Sequence, residues 1–372
     1  MTDIKKIVLT GGPCAGKTTA LVKITEYFSG FGYKVFNVPE VPTIFSTAGW
    51  NYLTPNRALY YQGEKAILET QLALEDQFMR LAKVCTKPVL IVCDRGTMDI
   101  SAYIKPEEWD EITRMVGTNA NALHERYDAV LHLVSAADGA EQYYTTATNA
   151  TRYEQANEEG LRLARELDKK VINAWTGHPH LRVIDNTTDF NDKMLRLISE
   201  ISAVLGEPGP YEIKRKFLIE YPDVAQLERL PGCTRVEIIQ TYLKPRNDSE
   251  LRRVRQRGAD GHYIYFETVK LNVKDPSTGY PLETERRLTQ DEYLGLLMEA
   301  DTTKRALRKT RYCLAYDRQY FSIDLLPFWD RQAMLSIETN SESEEIRFPD
   351  FVRVIREVTG LPEYRNSALA TR

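Results

Sequence analysis

Apolar runs alternate with segments of helical periodicity through the first 205 residues of the 372-residue chain. The apolar runs that predict buried strands lie at 5–10, 33–38, 88–93, 128–134 and 181–185. The longest segments with helical periodicity lie at 56–85, 151–176 and 190–205. This alternation predicts an α/β domain in which a parallel sheet has helices on both faces. Ligands bind such sheets at the carboxyl ends of the strands, so we expect the functional residues there.

The pattern changes after the segment Gly206-Glu207-Pro208-Gly209-Pro210, whose composition is typical of a linker. Strand-like runs follow at 211–219, 235–243, 251–257, 262–271, 282–288, 308–316, 320–325 and 333–339. Turn-forming residues join these runs. They predict a β-rich second domain, an antiparallel meander that closes towards a barrel. We therefore expect two domains, at 1–207 and 208–372.

The first apolar run leads through a glycine-rich loop into a helix-forming segment. The loop is Gly11-Gly12-Pro13-Cys14-Ala15-Gly16-Lys17-Thr18-Thr19. Between a strand and a helix, the pattern G-x-x-x-x-G-K-[ST] holds the phosphates of a nucleoside triphosphate. Backbone N–H groups attract the phosphate oxygens, Lys17 is expected to reach the β- and γ-phosphates, and the Thr18 hydroxyl is expected to ligate Mg²⁺. The sequence predicts binding of GTP or ATP with Mg²⁺.

Acidic residues follow the second and third apolar runs. Asp94 ends the third run, where an acid of the Walker B type would hold Mg²⁺ or its water. Glu40 follows the second run and could orient or deprotonate the group that attacks the γ-phosphate. The alternatives are that Asp94 only caps the next helix and that Glu40 is a solvated loop acid. Both are candidate catalytic residues beside Lys17.

Two further candidates come from later loops. Arg152 lies in a small, polar stretch, 145–154, which is typical of a lid that closes over phosphates and supplies an arginine. A surface helix that begins near Arg152 is the alternative. Asn186 follows the last strand of the first domain, where loops often contact the nucleotide base. We therefore predict Arg152 as catalytic and Asn186 as nucleotide-binding.

These motifs together resemble a known P-loop domain. The loop GGPCAGKTT, the Pro-Glu pair, the Asp-Arg-Gly sequence after the third strand and the lid arginine are similar to the domain shared by two groups. One is the bacterial nicotinamide-riboside kinase/NAD regulator, and the other is the TRPL translocation defect proteins of insect photoreceptors. The resemblance covers about the first 205 residues. It implies a P-loop NTPase fold.

Charged residues occur at alternating positions in the strand-like runs of the second half. Side chains at alternate positions of a strand share a face. Such charges are not buried without partners, so these faces either point outward or line a wet tunnel that a polyanion fills. The candidate polyanion-binding residues are Lys214, Lys216, Arg253, Arg255, Lys270, Lys309 and Arg311.

These runs resemble the CYTH, or triphosphate tunnel, fold, which opens with E-x-E-x-K and binds triphosphates with metal. Glu212 and Lys216 match the first and last positions, and the resemblance implies Glu212 and Glu285 as metal ligands. Lys214 stands where the family has its second glutamate, and Ser336 where another acid is expected. An ammonium group in place of a carboxylate repels Mg²⁺. This favours an anion-binding tunnel over a hydrolase.

Composition limits the remaining possibilities. A net charge of −4 argues against a general nucleic-acid binder, and no apolar run approaches the length needed to span a bilayer. The first residues contain no signal peptide, and the five cysteines lack paired spacing. These features predict a cytoplasmic protein with reduced thiols. Any membrane association would be peripheral.

The two domains in this order resemble the TRPL translocation defect family, which implies GTP binding and phosphoinositide-headgroup binding in membrane trafficking. The preference for GTP over ATP rests on that resemblance, because the chain has no Asn-Lys-x-Asp guanine motif. A small-molecule kinase with a nucleoside-like or polyphosphate acceptor is the alternative. Hydrolysis of triphosphate or polyphosphate in the tunnel is the third possibility.

Overall fold

The computed structural model of the protein describes residues 3–51, 54–144, 157–206, 213–247, 249–259, 261–274, 281–339 and 345–371. Contacts along the chain divide it into two units, Met1–Glu200 and Ile201–Arg372. The linker predicted at 206–210 lies mostly outside the described residues, and the domain limits 1–207 and 208–372 stay a prediction. No helix among the described residues is long and apolar enough to cross a membrane.

The first unit contains a five-stranded sheet in the order β2-β3-β1-β4-β5. Its strands are β1 (Ile4–Gly11), β2 (Lys34–Val38), β3 (Val89–Asp94), β4 (Ala129–Leu133) and β5 (Leu181–Ile184). All neighbouring pairs are parallel. The predicted parallel α/β sheet is confirmed, and each strand lies within a residue or two of the apolar run that predicted it. Since the strands run in one direction, β1 and β3 bring the P-loop and Asp94 to the same edge.

Helices connect the parallel strands. They are α1 (Lys17–Gly30), α2 (Val41–Thr47), α3 (Arg57–Lys83), α4 (Pro106–Val116), α5 (Ala120–His124), α6 (Glu158–Trp175) and α7 (Phe190–Leu205). A short 3₁₀ helix, Thr97–Ala102, follows β3. Side-chain caps define where the two longest helices begin: Asn56 accepts a hydrogen bond from the Leu59 N–H, and Asn157 accepts one from the Gly160 N–H.

The second unit is built on a nine-stranded antiparallel sheet in the order β10-β9-β8-β7-β11-β12-β13-β6-β14. Its strands are β6 (Ile213–Glu220), β7 (Cys233–Leu243), β8 (Glu250–Ala259), β9 (His262–Lys274), β10 (Pro281–Leu288), β11 (Leu307–Tyr316), β12 (Gln319–Leu325), β13 (Gln332–Thr339) and β14 (Val354–Glu357). The short helices are α8 (Val224–Arg229), α9 (Gln290–Leu297) and α10 (Asn366–Leu369). The predicted β-rich, CYTH-like second domain is confirmed as an antiparallel sheet. Sequence analysis missed β14.

The two faces of this sheet differ sharply. One face of the central strands packs into an apolar core that includes Phe217, Phe321, Ile323 and Leu335, covered by Leu227 of α8. Most alternate residues of the same strands are charged or polar, but Leu218 and Met334 pack with Val358 in a small apolar cluster on that second face. The period of two along β6, β12 and β13 therefore assigns one face to the main core and leaves most of the other for charge.

The charged face lines the concave side of a curled sheet. Lys216 on β6 and Arg253 on β8 are separated by β7, β11, β12 and β13 in the sheet order. A flat sheet would hold strands at that separation about 24 Å apart. Burial, aided by the positive charges of Lys214, Arg253 and Arg311, nevertheless lowers the pKa of Lys216 to about 8, against the opposing effect of Asp324. An influence of Arg253 on Lys216 indicates that the sheet curls so that β6 and β8 approach each other.

Candidate functional site

Backbone geometry shapes the loop that follows β1. Gly11 has a φ of 146° and Gly16 a φ of 90°, in the region that favours glycine. A Cβ at Gly11 would lie 2.2 Å from the Leu133 carbonyl oxygen, and one at Gly16 would lie 2.8 Å from the Phe190 ring. Gly16 is also the residue immediately before α1. The two glycines therefore let the loop turn tightly over β4 and present the first turn of α1 to a ligand.

A buried contact between Asp168 and His132 lies beneath the loop. The Gly12 N–H donates a hydrogen bond of 2.6 Å to Asp168 Oδ1 on α6. His132 Nε2 on β4 lies 3.2 Å from the same oxygen. Burial alone would raise the pKa of Asp168, but His132 and the Gly12 amide lower it. Asp168 therefore stays ionised and fixes the backbone of the loop. Sequence analysis did not identify this pair.

Lys17 extends along the loop. Its Nζ donates to the Gly11 carbonyl oxygen at 3.3 Å. Burial, followed by the positive charge of Arg95, lowers the pKa of Lys17 to about 8, while Glu40 and Asp94 oppose this shift. These charges act on Lys17 because β1, β2 and β3 end at one edge. The structure thus brings together the predicted catalytic residues Lys17, Glu40 and Asp94.

Asp94 has an oxygen suited to a cation. Its Oδ1 is buried and accepts no hydrogen bond from the described residues. Burial raises the pKa of Asp94, with Glu40 contributing and Lys17 opposing. The Thr18 hydroxyl is exposed at the start of α1. Mg²⁺ prefers oxygen ligands. The Asp94 carboxylate and the Thr18 hydroxyl would supply two of them, beside phosphate oxygens and water. The two residues therefore fit the predicted metal role.

Glu40 forms an ion pair and is not a solvated loop acid. Arg95 Nε donates to Glu40 Oε1 at 2.5 Å, and Arg95 Nη1 lies 3.5 Å from Asp99. Burial alone would raise the pKa of Glu40, but Arg95, Lys17 and a hydrogen bond from the Thr43 hydroxyl lower it to about 2. A carboxylate of such low pKa orients neighbours well and accepts a proton poorly. This favours the orienting role predicted for Glu40.

A buried lysine holds the loop from the side of α7. Lys193 Nζ donates to Asn186 Oδ1 at 2.6 Å, to the Val134 carbonyl at 2.8 Å and to the Ala15 carbonyl at 3.3 Å. Asn186 Nδ2 donates to the Ser135 and Asp138 carbonyls at 2.7 and 2.8 Å. The Asn186 carboxamide therefore organises the chain after β4. Its predicted contact with a nucleotide base stays a prediction.

The remaining predictions for the first unit concern the lid and the loop side chains. Arg152 and the whole of the predicted lid, 145–154, lie outside the described residues, so the role of Arg152 stays a prediction. Of the other predicted residues, Pro13, Cys14 and Ala15 lie in the turn between β1 and α1, and Thr19 lies in the first turn of α1. Cys14 has a φ of 55°, which is consistent with its place in a tight turn.

The concave face of the second unit carries cations that are matched to carboxylates. Lys309 Nζ lies 2.5 Å from Asp324, and Arg311 donates two hydrogen bonds to the same carboxylate, at 2.6 and 2.9 Å. Arg255 lies 2.9 Å from Glu285. Sequence analysis missed Asp324, which neutralises the predicted Lys309 and Arg311.

The other predicted members of this face surround those pairs. Lys214 lies 2.9 Å from Glu338. Arg253 stands opposite Thr268 in the β8–β9 register, and Lys270 stands opposite Leu251. The two residues on β8 and the two on β9 share the face, because directly opposed residues of an antiparallel pair point to the same side. Predicted polyanion-binding residues thus converge on one surface.

Burial lowers the pKa values of two cations on the concave face. Burial, with Arg311 and Lys216 contributing and Asp324 opposing, lowers the pKa of Lys309 to about 7. Burial also lowers the pKa of Arg255 to about 10, although Glu285 raises it. Burial destabilises the charged forms of these side chains. A multivalent anion bound beside them would supply compensating negative charge and stabilise those charged forms. Polyanion binding at this face stays a prediction.

The two predicted tunnel metal ligands have different outcomes. Glu212 lies outside the described residues. Glu285 accepts hydrogen bonds from Arg255 and from the Thr268 hydroxyl, at 2.9 and 3.0 Å. A carboxylate engaged by a guanidinium is poorly placed to bind Mg²⁺, and the metal role of both residues stays a prediction.

Comparison with known proteins defines the first unit. Residues 6–193 match the model of a family described as an AAA domain. The chain belongs to this AAA domain family. The matched residues include the P-loop, Glu40, Asp94 and Asp168, so the first unit is a P-loop nucleotide-binding domain of the AAA family. No curated protein matches the chain at a significant level.

Solved structures also show similarities. The inorganic triphosphatase NE1496 is 27% identical over 44% of this chain and 95% of that chain, with a TM-score of 0.31. A second structure of NE1496, described as a hypothetical protein, is 28% identical over 44% and 99%, with a TM-score of 0.31. The PH1819 protein from Pyrococcus horikoshii OT3 is 20% identical over 36% and 80%, with a TM-score of 0.25.

Proposed function

We propose that the first unit binds GTP or ATP with Mg²⁺ and hydrolyses it slowly. The observation that supports this most is the meeting of Lys17, Asp94 and the Glu40–Arg95 ion pair at the edge of the sheet where the P-loop ends. In P-loop domains this edge holds the β- and γ-phosphates. The buried, unpartnered Asp94 Oδ1 and the Thr18 hydroxyl would hold Mg²⁺, which neutralises charge on the phosphates when bound.

Each residue has a distinct part in this proposal. Lys17, already close to deprotonation, is stabilised in its charged form when a triphosphate binds beside it. Glu40 holds Arg95 in position and orients the attacking water. Asp168 and His132 keep the loop rigid from below, and Arg152 closes over the γ-phosphate from the predicted lid.

For the second unit we infer a binding site for a multivalent phosphate, either a phosphoinositide headgroup or polyphosphate. The ion pairs of the concave face support this inference, because Arg311, Lys309 and Arg255 are positioned by carboxylates before any ligand binds. Preorganised cations lose little side-chain entropy on binding. Binding of a phosphoinositide would bring the protein to a membrane surface, as a role in membrane trafficking requires.

The two sites are proposed to separate at the predicted boundary, so that 1–207 retains nucleotide binding and 208–372 retains polyanion binding. Isothermal titration of both fragments and of the full chain with GTP, ATP, tripolyphosphate and inositol phosphates tests this division. Triphosphate hydrolysis in the second unit that persists in Lys17→Ala would contradict the proposal that this unit only binds.

A further inference from the structure

A wide groove lies on the first unit, apart from the P-loop. It has a volume of about 880 Å³ and is bordered by the beginning of α3, the chain from Ser101 to Pro106, and the second half of α6. This volume is within the range of small-molecule sites. None of the residues 11–19 lines the groove.

The charges in the groove favour an anion. Arg57, Lys105 and Lys170 line it, and Glu108 is the acidic residue among them. Glu108 is already engaged, because it pairs with Arg57 and accepts a hydrogen bond of 3.0 Å from the Lys105 N–H at the start of α4. The ammonium groups of Lys105 and Lys170 form no ion pair with any described residue. Two uncompensated cations therefore face the same space.

The groove also has aromatic walls. Tyr60 and Tyr103 line it, and 49% of Tyr103 is exposed. The Arg57 guanidinium lies 4.9 Å from the centre of the Tyr60 ring, which holds that ring in position. Exposed tyrosine rings beside cations are surfaces on which a planar ring stacks. The Asn173 carboxamide, which also lines the groove, adds a donor and an acceptor.

We propose that this groove binds a phosphorylated aromatic heterocycle, with the chemistry of a nucleoside monophosphate. Lys105 and Lys170 hold the phosphate, the ring stacks on Tyr103 and Tyr60, and Asn173 forms hydrogen bonds with the edge of the ring. This site goes beyond the triphosphate site proposed above and does not depend on it.

The groove is connected to the triphosphate site by one side chain. The Arg95 guanidinium lies 5.9 Å from the centre of the Tyr103 ring, and the same Arg95 forms the ion pair with Glu40. A ligand stacked on Tyr103 therefore lies one residue away from the charges around Lys17. Tyr103 is in this proposal both a ring-binding residue and the contact between the two sites.

Isothermal titration of the full chain with AMP, GMP, CMP, UMP and inorganic phosphate tests the proposal. The double variant Lys105→Ala/Lys170→Ala is expected to weaken monophosphate binding at least about 10-fold, the loss expected for charge-assisted hydrogen bonds. Lys83→Ala/Lys169→Ala, which removes two exposed lysines from α3 and α6 outside the groove, is the matched control. Tyr103→Ala should weaken binding while Tyr103→Phe retains it.

Titration of the groove variants with GTP and ATP separates this proposal from the triphosphate site and shows that these variants are folded, and circular dichroism shows the same for Lys17→Ala. The proposal predicts that Lys17→Ala leaves monophosphate binding unchanged. It is overturned if no monophosphate binds, if the groove double variant binds as the control does, or if Lys17→Ala abolishes monophosphate binding. Inorganic phosphate binding as tightly as the monophosphates would contradict the stacking of the ring.

Discussion

The two units present proposed phosphate-binding surfaces of opposite construction. In the first, backbone geometry around Gly11 and Gly16 shapes the site, and one lysine stands among acids that suit a metal ion. In the second, Lys309 and Arg311 share one carboxylate and Arg255 pairs with another. The difference teaches that a protein can bind phosphate in two ways. Acidic residues can hold a metal ion that contacts the phosphate, or lysine and arginine side chains can contact the phosphate directly. We expect the first arrangement to require Mg²⁺ and the second to bind its anion without a metal.

The largest expected effect comes from the carboxylate at the centre of the concave face. Asp324→Asn leaves Lys309 and Arg311 buried with no carboxylate partner at that position, which should reduce the free energy of unfolding by about 3–5 kcal/mol. Urea unfolding measures this loss. Tripolyphosphate should restore part of it by supplying the missing negative charge. If stability is unchanged, the cations of this face are not organised by Asp324.

The next effect is on the P-loop. Lys17→Ala should weaken binding of GTP or ATP by about 1.5–3 kcal/mol, because a charge-assisted hydrogen bond to phosphate is lost. The matched control is Lys83→Ala, at the exposed end of α3. Isothermal titration should show that polyanion binding to the second unit is unaffected. Unchanged nucleotide affinity in Lys17→Ala would contradict the triphosphate site.

Polyanion binding should depend on pH through the lysines of the second unit. Burial lowers the pKa of Lys309 to about 7 and that of Lys216 to about 8, so both lose charge as pH rises through these values. A bound anion stabilises the protonated lysines. Between pH 7 and 9 the affinity of the protein for the anion should therefore fall by up to about 10-fold per pH unit for each proton taken up on binding.

Titrations in buffers of different ionisation enthalpy would detect the accompanying uptake of protons. Lys309→Arg, which keeps the charge over this range, should reduce the dependence on pH. A dependence that is equally steep in Lys309→Arg and in the native chain would show that Lys309 is not one of the linked groups.

A smaller effect is expected at the edge of the charged face. Lys214 is 45% exposed in its side chain and pairs with Glu338. Lys214→Glu places two carboxylates together and should weaken metal-free polyanion binding by about 1 kcal/mol. Titration in EDTA measures this change. Tighter binding in Lys214→Glu without metal would contradict the assignment of this face to anions.

Much of the fold could be predicted because it depends on local periodicity. The strands of both sheets appear in the sequence as apolar runs or as charges at every second position. The strand β14 was missed because its four residues are all exposed and show no alternation. Its pairing with β6 depends on a contact between residues far apart in the sequence.

The candidate site could be predicted only in part. Gly11, Lys17, Thr18 and Asp94 belong to motifs of fixed spacing. Asp168 and Lys193 are single residues on distant helices, brought to the loop by folding. One signal was available for Asp168, since it shares a helical face with the buried Ala164, Val171 and Trp175, where an acid needs a partner.

One measurement tests the difference between the two surfaces most directly: parallel titrations of the full chain with GTP, ATP and tripolyphosphate, in Mg²⁺ and in EDTA, at two salt concentrations. Nucleotide binding should weaken in EDTA and in Lys17→Ala. Tripolyphosphate binding that survives both changes and falls steeply with salt would identify the second, metal-free site. The contradicting result is metal-dependent tripolyphosphate hydrolysis that Glu285→Ala abolishes and Lys17→Ala leaves intact, since it would make the second unit a metal-dependent enzyme.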